Sequence, residues 1–197
     1  MILPGLFVII KAERGFTKKM KTLFSGVTVE CVKGDIAAQA DIKAVVNAAN
    51  AQLRTGGGVA GALHRTAGPG LEKECRPFAP IKPGEAVITG GHNLPNSHVI
   101  HCLGPVYGVD KPEAELLANC YRNALELAGQ HQIESIAFPS ISTGAFGYPL
   151  EEATEIAFQT IKAAIPGLKT VRLIRFVLHG EGALKIHQQF LETVFGS

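Results

Sequence analysis

Short apolar runs rich in β-branched residues alternate with longer segments of helical periodicity from residue 27 onwards. The short runs predict strands at residues 27–32, 44–47, 86–89, 98–103, 135–139 and 171–178. The longer segments predict helices at residues 59–66, 112–130, 149–164 and 183–195. Such alternation, without internal repeats or a linker between domains, is typical of an α/β sandwich.

The beginning of the chain stands apart from this alternation. Residues 2–10 are apolar, but the run is too short to span a bilayer and has neither a basic flank before it nor a cleavage site after it. It therefore predicts neither a transmembrane helix nor a signal peptide. We expect residues 1–21 to form an N-terminal extension or an extra edge element, with Met20 a natural start for the first strand, and residues 22–197 to form one domain.

The composition then narrows the class of protein. With 197 residues, of which 46% are hydrophobic, the chain can bury a full core without disulfides or metals. The 19 basic and 17 acidic side chains form no basic stripe, so we expect no dedicated nucleic-acid surface and only local recognition of phosphate. The 4 cysteines make no CxxC pair, which predicts buried, reduced thiols and no metal site. These features favour a cytoplasmic monomer without a cofactor.

Loops of small residues follow two of the predicted strands, at the carboxyl ends where α/β sheets collect their ligands. After the strand at 44–47, the chain reaches Gly56, Gly57 and Gly58, which open the helix predicted at Val59. Consecutive glycines let main-chain N–H groups approach an anion at a helix start, so this loop predicts a phosphate socket without lysine. A flexible tight turn is the alternative.

The segment 140–148 repeats the arrangement between a strand and the next helix. Two such loops facing each other could clamp a diphosphate. Phe146 lies among small residues, where its ring could cover a sugar face or shield a reacting carbon from water. A position in the core is the alternative for this side chain.

Asp35 directly follows Gly34 at the end of the first predicted strand. Because an ionised carboxylate only accepts hydrogen bonds, it would pair with an exocyclic amino group such as that of adenine and reject a carbonyl. It could also cap a short helix beginning at Ile36, and the two roles are compatible.

Three other site motifs fit poorly. Gly56, Gly58 and Gly61 match GxGxxG, but about eight loop residues separate them from the preceding strand, and the region 76–83 is predicted to be a loop. The chain contains no GxxxxGK[ST] motif for a nucleoside triphosphate. His98 and His101 should point to opposite faces of their strand, which disfavours a shared metal.

The order and spacing of six motifs make residues 22–195 resemble the macrodomain family, and the MacroD-type branch in particular. The motifs lie at 34–36 (GDI), 47–50 (NAAN), 56–59 (GGGV), 64–69 (HRTAGP), 101–105 (HCLGP) and 139–149 (PSISTGAFGYP). The resemblance implies a three-layer α/β/α fold with a central mixed sheet of six to seven strands. It also implies that ADP-ribose lies across the crest of this sheet.

The resemblance assigns a role to each site residue. Asp35 would bind the adenine amine, Ile36 would contact the ring through its backbone, and Asn50 would hydrogen-bond the distal ribose, which Phe146 would orient. The diphosphate would lie between two sets of residues, namely Gly57, Gly58 and Val59 on one side and Ser142, Thr143, Gly144, Ala145 and Phe146 on the other. Asn50 and Phe146 are the candidate catalytic residues.

Two positions depart from the MacroD pattern. Ala60 stands where hydrolases of that branch usually carry an aspartate beside the distal ribose, and it cannot position or activate water. The segment His179-Gly180-Glu181-Gly182 replaces the phenylalanine- or acid-bearing sequence often found after the last strand, which leaves adenine stacking open.

Three functions are therefore compatible with the resemblance. The first is hydrolysis of ADP-ribosyl esters, on aspartate or glutamate side chains or in O-acetyl-ADP-ribose. The others are a non-catalytic ADP-ribose-binding module and an ADP-ribose 1″-phosphate phosphatase. We rank ester hydrolysis first, because Asn50 and Phe146 are present and because a chain without an attached effector domain would gain little from binding alone.

Overall fold

The computed structural model describes residues 20–196, and the prediction for residues 1–19 lies outside the described residues. The strands of this part are β1 (Met20–Phe24), β2 (Val27–Lys33), β3 (Ala44–Ala48), β4 (Ala86–Gly90), β5 (His98–Cys102), β6 (Ser135–Phe138) and β7 (Leu173–Leu178). The helices are α1 (Gly58–Ala67), α2 (Pro69–Cys75), α3 (Glu113–Gln130), α4 (Leu150–Ala164) and α5 (Glu181–Phe195). Short 3-10 turns lie at Ile36–Ala38, Arg76–Phe78 and Ile165–Gly167.

Every strand and helix predicted from residue 27 onwards is present, with ends shifted by at most two residues, as in β7, which begins at residue 173 rather than 171. The prediction missed α2, and it was wrong to treat all of 76–83 as a loop, since a 3-10 turn occupies Arg76–Phe78. Helix α2 has only seven residues, too few for a clear helical period, although Pro69 at its first turn marks a helix start.

The strands form one mixed sheet in the order β1-β2-β7-β6-β3-β5-β4. The edge strands β1 and β4 run antiparallel to their neighbours, and the five strands between them are parallel. The carboxyl ends of β2, β7, β6 and β3 therefore lie side by side at one edge of the sheet. This topology brings the loops that follow these four strands together, although they are far apart in the sequence.

Hydrophobic clusters on both faces of the sheet produce the three layers. On one face, helices α3, α4 and α5 pack over an aromatic group in which the rings of Phe158 and Phe176 stack at 4.7 Å. On the other face, α1 and α2 bury Leu63 and Leu71 against Val45 of β3. The predicted α/β/α architecture is confirmed. No helix in residues 20–196 combines the length and apolar character needed to cross a bilayer.

Candidate functional site

A cavity of about 740 Å³ opens at the carboxyl ends of β2, β3, β6 and β7. Such a volume lies within the usual range for small-molecule sites. All the residues that the sequence suggested for ligand binding line this cavity, namely Asp35, Ile36, Asn50, Gly57, Gly58, Val59, Ser142, Thr143, Gly144, Ala145 and Phe146. The sheet topology thus brings the sequence-selected residues into one place.

The N-terminus of α1 forms one wall of the cavity and has no side-chain cap. Gly57 is its N-cap residue, Gly58 has a φ of 53°, and the first turn contains no acidic residue. Within the described residues, the N–H groups of Gly58, Val59 and Ala60 have no protein acceptor, whereas Gly61 N–H donates to Gly57 O at 3.2 Å. The positive end of this helix is therefore available to an anion.

Gly61 lets the glycine loop lie directly on α1. A Cβ at this position would lie 2.4 Å from the carbonyl oxygen of Gly56, closer than atoms can pack. At Gly57 and Gly58, by contrast, a Cβ would meet nothing within 4 Å, because these positions border the open cavity. The glycines thus combine close packing on one side with access to the main chain on the other.

The segment 140–148 forms a second part of the wall, and its main chain folds back on itself. Tyr148 N–H donates to Ser142 O and Gly147 N–H donates to Gly144 O, each at 3.0 Å, and Ser142 has a φ of 65°. The N–H groups of residues 142–146 have no acceptor elsewhere in the described part of the chain. Two sets of free N–H donors therefore belong to residues that line one cavity.

Packing from the loop after β5 fixes this wall. A Cβ at Gly104 would lie 2.1 Å from Ser142 Oγ, so only glycine allows the two loops to approach as they do. Tyr107 N–H donates to Phe146 O at 2.9 Å. The Phe146 side chain is half-buried: it packs against the cluster under α1 and also lines the cavity.

Asn50 lines the cavity next to the glycine loop, where a Cβ on Gly56 would lie 3.3 Å from its Nδ2. Its Nδ2 donates to Arg54 O at 2.8 Å and its Oδ1 accepts from Arg54 N–H at 3.1 Å. These bonds fix the orientation of the amide. They leave one N–H and one lone pair of the side chain for a ligand.

Asp35 caps the 3-10 turn at Ile36–Ala38, as the sequence suggested. Its Oδ1 accepts from Ala37 N–H at 2.9 Å, and its other carboxylate oxygen has no donor among residues 20–196. The side chain is exposed, so this oxygen can accept a hydrogen bond from a ligand in the cavity. Capping and ligand recognition are thus compatible at this residue.

The titratable side chains in the cavity wall are Asp35, Arg65 and His179. Arg65 had no predicted role; its position three residues after Ala62, which also lines the cavity, places both on one face of α1. Ala60 also lines the wall and is buried, so its methyl group places no carboxylate there. The cavity therefore supplies main-chain donors and amides rather than a conventional acid–base pair.

The two histidines of β5 lie on opposite faces, as predicted. His101 is completely buried, and its Nε2 lies 2.9 Å from Thr89 Oγ1, whereas the His98 ring packs against His131 at 5.8 Å. Burial, together with the nearby His64, lowers the pKa of His101 to about 3. The described residues contain no cluster of side chains suited to a metal ion.

Comparison with known proteins finds macro domain proteins among the sequences similar to this chain. The family model for the Macro domain matches residues 46–157. A macro domain-containing protein of Chlorobaculum tepidum is 45% identical over 166 residues, which cover 84% of this chain and 96% of the relative. A Klebsiella pneumoniae protein named O-acetyl-ADP-ribose deacetylase is 44% identical over 172 residues, which cover 85% of this chain and 98% of the relative.

Solved structures are similar over nearly the same region. The Oceanobacillus iheyensis macrodomain with ADP has a TM-score of 0.85 and 42% identity, covering 90% of this chain and 97% of that one. The Trypanosoma brucei macrodomain in complex with ADP-ribose has a TM-score of 0.75 and 35% identity, covering 82% of this chain and 68% of that one.

Proposed function

Because the chain belongs to the macrodomain family, we propose that its cavity binds ADP-ribose and that the protein hydrolyses ADP-ribosyl esters. The observation that carries this proposal is the pair of free N–H sets, at the start of α1 and in residues 142–146, in the wall of one cavity. A diphosphate between them would accept hydrogen bonds from both walls without a lysine. The deacetylase name of the Klebsiella relative supports an ester substrate.

In this proposal the ligand lies along the crest of the sheet. Asp35 accepts a hydrogen bond from the adenine amine, and the backbone of Ile36 contacts the base. The diphosphate binds between Gly57, Gly58 and Val59 on one side and residues 142–146 on the other. Asn50 then hydrogen-bonds the distal ribose, and the ring of Phe146 orients it.

Hydrolysis adds water across the acyl C–O bond and yields a carboxylic acid and the free ribose hydroxyl. The side-chain amide of Asn50, held by Arg54, would orient the ribose and the attacking water. Asp35 is the only carboxylate in the described wall, and it belongs to the adenine end, so a phosphate oxygen of the substrate would accept the proton of the water. Phe146 would limit access of other water molecules.

One observation favours a second function. Ala60 places a methyl group where hydrolases resembling this chain usually carry an aspartate, so the same cavity could bind ADP-ribose without turnover. The protein would then be a module that recognises ADP-ribosyl groups. A 1″-phosphatase would use the same cavity, but no feature of its wall favours that activity over ester hydrolysis.

The test is incubation of the protein with O-acetyl-ADP-ribose and, separately, with a protein that carries ADP-ribose on acidic side chains. We expect release of acetate from the first and of ADP-ribose from the second. Binding of ADP-ribose in calorimetry without release from either substrate would identify the binding module. No binding would contradict both functions.

The proposed compartment is the cytoplasm. All the cysteines, Cys31, Cys75, Cys102 and Cys120, are buried free thiols. Such thiols suit a reducing compartment, in which disulfides are rare.

A further inference from the structure

The segment 35–42 carries one end of the cavity wall and is held by side chains outside it. Asp35 and Ile36 line the cavity, whereas Gln39 and Asp41 lie behind them. The backbone–backbone bonds of the segment are all short-range: Asp35 O accepts from Ala38 N–H at 3.1 Å and Gln39 O accepts from Ile42 N–H at 3.0 Å. Its attachment to the sheet therefore depends on side chains.

Arg175 of β7 provides this attachment from the interior of the molecule. It is 5% exposed, and its Nε donates to Glu30 Oε1 of β2 at 2.6 Å. Its two Nη groups hold Asp41 at 2.8 Å and 2.6 Å, and Nη1 also donates to Gln39 Oε1 at 2.9 Å. A planar guanidinium with three fixed partners sets an orientation as well as a position.

Gln39 connects Arg175 to the cavity wall. While its Oε1 accepts from Arg175, its Nε2 donates to the carbonyl oxygen of Asp35 at 2.7 Å. The buried Asn96 fixes the other end, because its Nδ2 donates to Gln39 O and to Ile42 O, each at 2.7 Å. A continuous chain of hydrogen bonds thus connects the sheet to the residue that carries the candidate ligand carboxylate.

We propose that Gln39, anchored by Arg175, is a positioning residue that gives the cavity its preference for a 6-aminopurine over a 6-oxopurine. The inference rests on the proposed function, since it concerns the base of the same ligand. Asp35 is exposed, and among residues 20–196 its carboxylate is held only by Ala37 N–H of the same short segment, so its position depends on how that segment is anchored. A carboxylate discriminates between an amino group and a carbonyl only if its oxygen is held within hydrogen-bonding geometry, and the Gln39 contact contributes to this by fixing the backbone carbonyl of Asp35.

Gln39→Glu separates the two halves of this contact. The new side chain has the same shape and still accepts from Arg175, but it has no N–H to donate and places an oxygen against the carbonyl of Asp35. Gln39→Met removes both contacts at similar length. Gln159→Glu, on the exposed face of α4 and outside the cavity wall, makes the same change of charge as a control.

The measurement is calorimetric binding of ADP-ribose and of inosine diphosphate ribose, with melting temperatures for each variant. We expect the parent and Gln159→Glu to prefer ADP-ribose by about tenfold or more, and Asp35→Ala to lose that preference. We expect both Gln39 variants to lose about threefold or more of it, through weaker ADP-ribose binding, while they remain folded.

An unchanged preference in both Gln39 variants, whatever their melting temperatures, would overturn the proposal and leave Gln39 a purely structural residue. Equal binding of the two ligands by the parent would overturn it as well, because there would be no preference to position. A parent that binds neither ligand would contradict the proposed function itself, and this inference with it. The three outcomes are distinguishable in one set of titrations.

Discussion

Ala60 is the residue at which the local chemistry most limits the proposed reaction. Its methyl group is buried in the cavity wall beside the glycine loop, 3.7 Å from the point that a Cβ on Gly56 would occupy. The wall therefore contains polar amides and N–H groups but no base at this place. A carboxylate added here would be the smallest change that supplies one.

Ala60→Asp should raise kcat for hydrolysis of an ADP-ribosyl ester, and Asn50→Ala should lower it. General-base assistance is worth about 10²–10⁴ in rate, and a carboxylate introduced without supporting contacts should give an increase at or below the low end. Its charge should also weaken binding of the diphosphate, so kcat and affinity are measured separately. Ala62→Asp, which adds the same charge elsewhere on the wall, is the control. An unchanged kcat in a folded, ligand-binding Ala60→Asp variant would mean that no carboxylate is needed at this position.

At the scale of elements, the loop after β5 packs against the segment 140–148 and helps to set its conformation. Neither loop belongs to a helix or strand, so side-chain and main-chain packing must keep residues 142–146 in the cavity wall. Gly104 makes this possible, because Ser142 Oγ occupies the space where its side chain would lie. The conformation of the segment 140–148 therefore depends on the absence of a side chain at Gly104 in the loop after β5.

Gly104→Ala should destabilise the protein by about 1–3 kcal/mol, the usual cost of an overpacked site, and should weaken ADP-ribose binding. Gly129→Ala is the matched control, since a Cβ at Gly129 near the end of α3 meets nothing within 4 Å. That change should stabilise the helix by up to about 1 kcal/mol and leave binding unchanged. Urea unfolding and calorimetry check both variants. Equal free energies of unfolding for the two variants would show that the loop after β5 and the segment 140–148 can move apart without loss of stability.

At the scale of the whole molecule, buried neutral histidines make stability depend on pH. Burial lowers the pKa of His101 to about 3 and that of His187 to about 4, below the ordinary value of 6.5. The unfolded chain therefore takes up protons that the folded protein does not, and stability falls as the pH drops below about 6.5. Well above that pH both histidines are neutral in the folded and the unfolded state, so they no longer make stability depend on pH.

Between about pH 7 and pH 5, each of these two histidines should cost about 2 kcal/mol of unfolding free energy. Denaturant unfolding across this range checks the slope. His101→Gln should make it shallower, because it removes one of these two groups. A slope that His101→Gln does not alter would mean that His101 is not the neutral, buried group described here.

The sequence predicted the fold well because its apolar periodicity is strong in every long element. It missed α2, whose seven residues are too few to show a period. The glycine loop at 56–58, the segment 140–148 and Asp35 could be selected from residue types and their place after strands, whereas Asn50 and Ile36 entered the candidate site through the resemblance to macrodomains. The contacts of Gly104 with Ser142 and of Arg175 with Gln39 could not be predicted, because they join residues that only the strand order brings together.

The central claim is that a diphosphate binds between the two walls of free N–H donors. Gly144→Glu tests it most directly, because a Cβ at Gly144 meets no protein atom within 4 Å, so the variant should fold while it puts bulk and negative charge into the cavity. Gly167→Glu, at an exposed position outside the wall, is the control. In calorimetric titration with ADP-ribose, we expect the parent and Gly167→Glu to bind and Gly144→Glu to lose binding by about a hundredfold or more. Normal binding by a folded Gly144→Glu variant would contradict the account.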